Sequence, residues 1–154
     1  MTMELWELVA RERVRDTLAH YNWSGDALRL ADLALAFCED GRLEVRGQAP
    51  LHGRDAIVAF LGGTFGDRGD AAGPEGRKRI VRHNLTNLRF VELTPDRCRA
   101  ESYFTVVTEL GLDYCGRYRD LLVPVGDQWL IEHRLVSTDW RSDDSTMATA
   151  SSIL

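Results

Sequence analysis

Apolar residues recur at helical spacing from the start of the chain: Leu5, Leu8 and Val9, then Val14, Leu18 and Tyr21. The polar stretch RERVRD among them reads as the solvated face of one helix. YNWSGD, residues 21–26, breaks this pattern like a turn, and Ser24 or Asp26 is placed to cap a second helix over ALRLADLALAFCED. Gly41 follows as a C-terminal stop for that helix. RLEVRG predicts a short strand. GRDAIVAFLGG predicts a third helix, with Ile57, Val58, Phe60 and Leu61 apolar. Residues 62–79 are rich in Gly and Asp and predict a long loop. Its glycines lack the following Lys-Ser/Thr and the preceding strand of a phosphate-binding loop.

Beyond the loop the pattern becomes strand-like. Four segments follow: RIVRHNLTNLRFVEL, RCRAESYFTVVTEL, LDYCGRYRDLLVPV and QWLIEHRLVSTDW. The breaks between them, TPD, GL and VGDQ, have the length of hairpin turns. Helices first and antiparallel strands afterwards predict an α+β architecture, with helices covering one face of a curved sheet. A single domain over 1–140 is expected, followed by a polar tail over 141–154.

Composition narrows the class. The chain has 154 residues, 44% of them apolar and 28% charged, and a net charge of −5. An acidic domain without a basic stripe argues against nucleic acid. No stretch approaches the length of a membrane span. Cys38, Cys98 and Cys115 are far apart, odd in number and without Cys-x-x-Cys spacing, as expected of free thiols in a reducing compartment. The charged opening MTMELWELVARERVRDTL has no apolar signal core, so the expected location is the cytoplasm. Four scattered histidines show no metal-ligand spacing, and no nucleotide motif is present, so neither metal nor cofactor is expected.

This order of elements, carried by YNWSGD, AFCEDGRLEVRG, GRDAIVAFL, RHNLTNLRF, GRYRDLLV and WLIEHR with DW behind it, resembles the SnoaL-like branch of the nuclear transport factor 2-like superfamily. The resemblance covers nearly the whole chain. It implies a cone-shaped α+β barrel of cystatin-like fold, with three N-terminal helices on a mainly antiparallel sheet, a hydrophobic cavity and a homodimer. Scytalone dehydratase, polyketide cyclases and a dehydrochlorinase share that cone, as do non-catalytic members, so fold alone does not settle function.

The resemblance also implies a site. Dehydratase-like and dehydrochlorinase-like members place a histidine base on the first long strand and orient it with an aspartate near the junction of the first two helices. His83 in RHNLTNL and Asp26 in SGDALRL match those positions, and Arg134 in WLIEHR matches an arginine of the dehydrochlorinase type. In these roles His83 takes a proton, Asp26 fixes its tautomer, and Arg134 stabilises developing negative charge. Read from the residues alone, Asp26 serves equally as a helix cap and Arg134 as a surface partner of Glu132 or Asp120. Strand alternation puts only one of His133 and Arg134 into the cavity unless a β-bulge intervenes. Tyr21 and Trp23 beside Asp26, Phe60 and Phe65 beside the loop, and Tyr103 and Tyr118 on strands are the candidate substrate-binding residues.

Two functions follow as expectations. The first is a cofactor-independent lyase or isomerase acting by His-Asp base catalysis on a small hydrophobic compound, aromatic and polycyclic ones included. The second is a non-catalytic ligand-binding or accessory subunit resembling the β subunit of a ring-hydroxylating dioxygenase. The second strand lacks the second histidine of the scytalone dehydratase pattern, which disfavours that specific activity.

Overall fold

The structure is a computed structural model that describes residues 2–65, 76 and 78–145. Its elements are α1 (Leu5–Asp26), α2 (Leu30–Ala34), β1 (Phe37–Val45), β2 (Leu51–His52), α3 (Arg54–Phe65), β3 (Val81–Leu93), β4 (Cys98–Thr108), β5 (Gly111–Val125) and β6 (Gln128–Arg141). The strands form one curved sheet in the order β2-β1-β6-β5-β4-β3. Every pairing is antiparallel except β1 with β6, which is parallel. The expected α+β class and three-helix cover are therefore present. The C-terminal segments read as strands lie within a residue or two of β3 to β6.

α1 opens with a reciprocal capping box between Glu4 and Glu7. It buries Ala10, Val14, Leu18 and Tyr21 against the sheet, and Thr17 Oγ1 donates to the Trp129 carbonyl at 2.5 Å. The inner face of β4 alternates strictly, with Cys98, Ala100, Ser102, Phe104, Val106 and Thr108 buried. Of these, Cys98, Ala100, Phe104 and Val106 meet Leu43, Ile57, Leu122 and Ile131 in one core.

Two expectations about the helices need correction. YNWSGD is not a turn: α1 runs through it to Asp26, so neither Ser24 nor Asp26 caps the next helix. Gly25 explains the tolerance. A Cβ there would stand 3.1 Å from Leu33 Cδ1, so the glycine lets α2 pack close. The second helix stops at Ala34, and FCED belongs to β1. Phe37 and Cys38 are buried in the strand, so an apolar run that looks like one face of a helix is instead packed in extended backbone. Gly41 is then a strand residue at a close approach, where a Cβ would fall 2.9 Å from both Phe37 Cβ and the Cys38 carbonyl oxygen.

Bulges decide which residues face inward. On β6 the pairing skips Glu132, since Leu121 opposes His133 while Leu122 opposes Ile131. Ile131 and Arg134 therefore both point inward although they stand three positions apart. His133 goes to the other face, with Nδ1 3.1 Å from Arg42 Nη2 and Nε2 3.0 Å from Glu44 Oε2. On β3 the register shifts between Thr86 and Arg89, and Asn87 takes a positive φ of 52°. His83 and Leu85 thus share the inner face with Leu88 and Phe90, and Asn87 leaves it.

The loop expected over 62–79 mostly lies outside the described residues, as does the tail from 146. Of the tail's first residues, Arg141 still belongs to β6, and Ser142 donates its backbone N–H to the Asp113 carbonyl. Among the described residues no helix is long and apolar enough to cross a membrane.

Gly116 offers a direct check of the packing. A Cβ there would sit 2.0 Å from the Ser137 carbonyl oxygen and 2.8 Å from Phe104 Cζ. Gly116→Ala is expected to cost at least about 1–3 kcal/mol, the usual cost of overpacking. Urea unfolding measures this, and a variant as stable as the parent would contradict the close β5–β6 approach.

Candidate functional site

Asp26 owes its position to the way α1 ends. Leu28 adopts a left-handed φ of 57°. Its N–H donates to the Gly25 carbonyl at 3.0 Å, and the Arg29 N–H donates to the Ser24 carbonyl at 2.9 Å. This is a Schellman closure with leucine where glycine is usual. It stops the helix at Asp26 and leaves the carboxylate of that last helical residue in hydrogen-bond contact with β3.

Both oxygens of that carboxylate are engaged by one residue. Asp26 Oδ2 accepts the backbone N–H of His83 at 2.9 Å, and Oδ1 faces His83 Nδ1 at 2.5 Å. Both side chains are largely buried, at 12% and 14% exposure. An ionised carboxylate only accepts hydrogen bonds. In the neutral ring the nitrogen facing it therefore carries the proton, which leaves the lone pair on Nε2. The Tyr114 hydroxyl is 3.4 Å from Nε2, and its ring meets the imidazole edge to face. Burial pushes the Tyr114 phenol above its ordinary value, helped by Tyr21, Asp113 and Asp26, so it stays a donor.

This group borders a cavity of about 330 Å³ between the helices and the inner sheet face. Leu28, Leu30 and Leu33 supply apolar wall from the α1–α2 corner, and Leu43, Val45 and Val136 from the sheet. Phe60 and Leu61 close it from α3. Phe104 stacks on Tyr118, with centroids 4.6 Å apart, and meets Tyr114 edge-on.

Arg134 lies behind this wall, fully buried. Its Nε and Nη2 donate to the two Asp120 oxygens at 2.8 and 2.9 Å. Its guanidinium carbon is 4.2 Å from the Tyr21 ring centroid and 4.0 Å from that of Tyr118. Burial opposes its charge, but the Asp120 carboxylate outweighs burial and holds the guanidinium pKa above its ordinary value. The Asp120 pairing weighed from the sequence is thus present in the interior rather than on the surface, with Arg134 beneath two cavity-lining tyrosines.

The candidate residues divide by face. Tyr21, Phe60 and Tyr118 line the cavity with His83 and Asp26. Trp23 does not. It is 76% exposed, because two further residues along a continuous helix turn it about 200° from Tyr21. Tyr103 is 53% exposed on the outer sheet face, since its neighbours Ser102 and Phe104 take the inner one. Phe65 ends α3, and its side chain falls outside the described residues. Sequence reasoning missed Tyr114 and Asn22. Tyr114 shares strand parity with Tyr118, and Asn22 stands one helical turn before Asp26, so both signals were in reach. Arg79 and Arg82 near the start of β3 also line the cavity. Among the described residues no group of three His, Cys, Asp or Glu side chains could hold a metal ion.

The sequence matches the SnoaL-like domain over residues 6–135. No curated protein matches it. Solved structures share the fold. A scytalone dehydratase candidate from Novosphingobium aromaticivorans superposes with a TM-score of 0.73 at 22% identity, covering 88% of this chain and 88% of that one. ActVI-ORFA from Streptomyces coelicolor gives 0.70 at 23%, covering 84% and 96%. A protein from Catenulispora acidiphila in complex with S-DNPA gives 0.70 at 27%, covering 84% and 92%.

Two outcomes test this arrangement. Arg134→Met leaves the Asp120 carboxylate buried and unpaired, and is expected to cost about 3–5 kcal/mol in urea unfolding. Adding Asp120→Leu recovers most of that loss, and a silent single variant would contradict the pairing. The second concerns alkaline pH. Burial raises the phenols of Tyr21, Tyr114 and Tyr118 above their ordinary value. The unfolded chain releases these protons near pH 10 while the folded chain keeps them. Stability is therefore intact below about pH 10 and falls above it, by up to about 1.4 kcal/mol per pH unit for each phenol. Urea midpoints on either side of pH 10 read this, and a flat profile would contradict the burial.

Proposed function

The chain belongs to the SnoaL-like domain family, and from that premise we propose that its cavity performs proton transfer on a small apolar compound, with His83 as general base. The observation that carries this reading is the double grip of Asp26 on His83, at 2.5 and 2.9 Å, in the wall of the cavity. An imidazole held by its other nitrogen is the usual tool for removing a proton near neutral pH.

In the proposed reaction Nε2 takes a proton from a carbon of the substrate. The C–H electron pair then forms a new bond to carbon as a neighbouring group departs, or shifts along the substrate in an isomerisation or cyclisation. Asp26 balances the imidazolium that forms and keeps the ring from turning. Tyr114, a retained donor 3.4 Å from Nε2, is positioned to hydrogen-bond the departing or developing negative group. The low-dielectric wall strengthens each of these effects. Arg134 is assigned a supporting role here. Its charge is matched by Asp120, and it fixes Tyr21 and Tyr118 through the faces of their rings.

The substrate class follows from the walls. A cavity of about 330 Å³ is at the small end of ligand sites, and its aliphatic and aromatic lining suits a compact apolar ring system. The Catenulispora acidiphila relative in complex with S-DNPA supports a ligand-holding role.

A generic carbon acid tests the base without knowledge of the natural substrate. 5-Nitrobenzisoxazole loses its ring proton to a base, its N–O bond breaks, and a coloured cyanophenolate forms. The parent is expected to turn it over, with His83→Ala about 10²–10⁴-fold slower and Asp26→Asn also impaired. Equal turnover by parent and His83→Ala, with both folded by circular dichroism, would sink the assignment.

A further inference from the structure

Among the described residues, Asn22 is a cavity-lining side chain whose chemistry the proposed reaction leaves unused and whose amide oxygen has no hydrogen-bond partner. It sits on α1, four residues before Asp26, which is one helical turn or about 6 Å along the axis. It lines the cavity and is only 7% exposed. Its amide oxygen is buried and has no hydrogen-bond partner among the described residues. Buried polar atoms in folded proteins are nearly always paired, and an unpaired one carries a desolvation penalty that a partner would remove. The neighbouring side chains on the helix do not supply that partner. Tyr21 stacks against Arg134, and Asp26 is committed to His83.

The unmet atom is an acceptor, so the missing group is a donor. The cavity is lined in part by Leu33, Leu43 and aromatic rings, with Asp26, His83, Arg79 and Arg82 also in its wall, and a neutral donor is less costly to bury there than a charged one. We propose that Asn22 is the specificity residue of this site: its amide, turned toward the cavity by side-chain rotation, accepts a hydrogen bond from a hydroxyl on the apolar substrate, one helical turn from the Asp26–His83 pair. The proposal rests on reading the cavity as a substrate site, but not on His83 being its base. It narrows the substrate class from a compact apolar ring system to one bearing a hydroxyl. It also accounts for the presence of an unpartnered amide in a wall where leucine would pack without loss: a site built to bond a hydroxyl discriminates against analogues lacking one.

The test compares 2-naphthol with 2-methoxynaphthalene by calorimetric titration of the full chain. The two share a ring system and an oxygen and differ in the O–H donor. The parent is expected to bind 2-naphthol about tenfold or more tightly, the scale of one buried hydrogen bond. Asn22→Leu abolishes that preference while melting at a higher temperature than the parent, because the unpaired amide is gone. Asn22→Ala serves if the leucine variant does not fold. His83→Ala keeps the preference, so this result and the benzisoxazole result stand or fall separately. A parent that binds 2-naphthol no better than the ether, or a preference that survives in both Asn22 variants, would overturn the proposal.

Discussion

The pair of hydrogen bonds that His83 donates to Asp26 is the joint on which the site depends. One carboxylate takes both the backbone N–H and the ring nitrogen of a single strand residue. That ties the last turn of α1 to the inner face of β3, at the far edge of the sheet from β1. The helix end is fixed independently by the left-handed Leu28 and its two backbone hydrogen bonds. The carboxylate is therefore held in place before it meets the histidine, which is what a fixed tautomer requires. Loosening either contact would free the ring to turn and widen the gap between α1 and the sheet.

The opposite wall follows a different logic. Tyr21 and Tyr118 stand on a guanidinium that is neutralised by Asp120 and cut off from water. A buried ion pair of this kind is weak evidence for stability. Its value here is geometric, because it gives two large rings a flat, polar backing that aliphatic packing could not orient in the same way. The inward turn of Arg134 depends in turn on the bulge at Glu132. One extra residue on one strand thus decides whether that wall is aromatic over a cation or something else.

Much of this was legible in the sequence, and the gaps have physical causes. The four C-terminal strands and α3 stand out because their hydrophobic periods are clean and their turns short. The His83–Asp26 association follows from family position, and the structure brings the two into contact. The segment YNWSGD misled because Asn, Ser, Gly and Asp favour turns locally, whereas the packing of Gly25 against Leu33 holds it helical. Trp23 is a candidate because it flanks Asp26 in sequence, but on a continuous helix that closeness does not put it on the cavity face. FCED misled because a short apolar run does not distinguish a buried strand from a helix face. The bulges at Asn87 and Glu132 leave no mark that alternation can read, so the side taken by Arg134 was open until the strand pairing was known. Helical spacing from Asp26 puts Asn22 on the cavity side, but its unpaired amide oxygen is a property of the packed interior and has no sequence signature.

The central claim is that Asp26 holds the proton of the neutral His83 ring on Nδ1 and leaves the Nε2 lone pair, 3.4 Å from the Tyr114 hydroxyl, as the base beside the cavity. Long-range proton–nitrogen NMR on histidine-labelled protein reads this directly, with His83→Gln identifying the His83 signals among those of the four histidines. The account predicts a protonated Nδ1 and an unprotonated Nε2 in the neutral ring. A proton on Nε2 instead would leave no base facing the cavity and would contradict it.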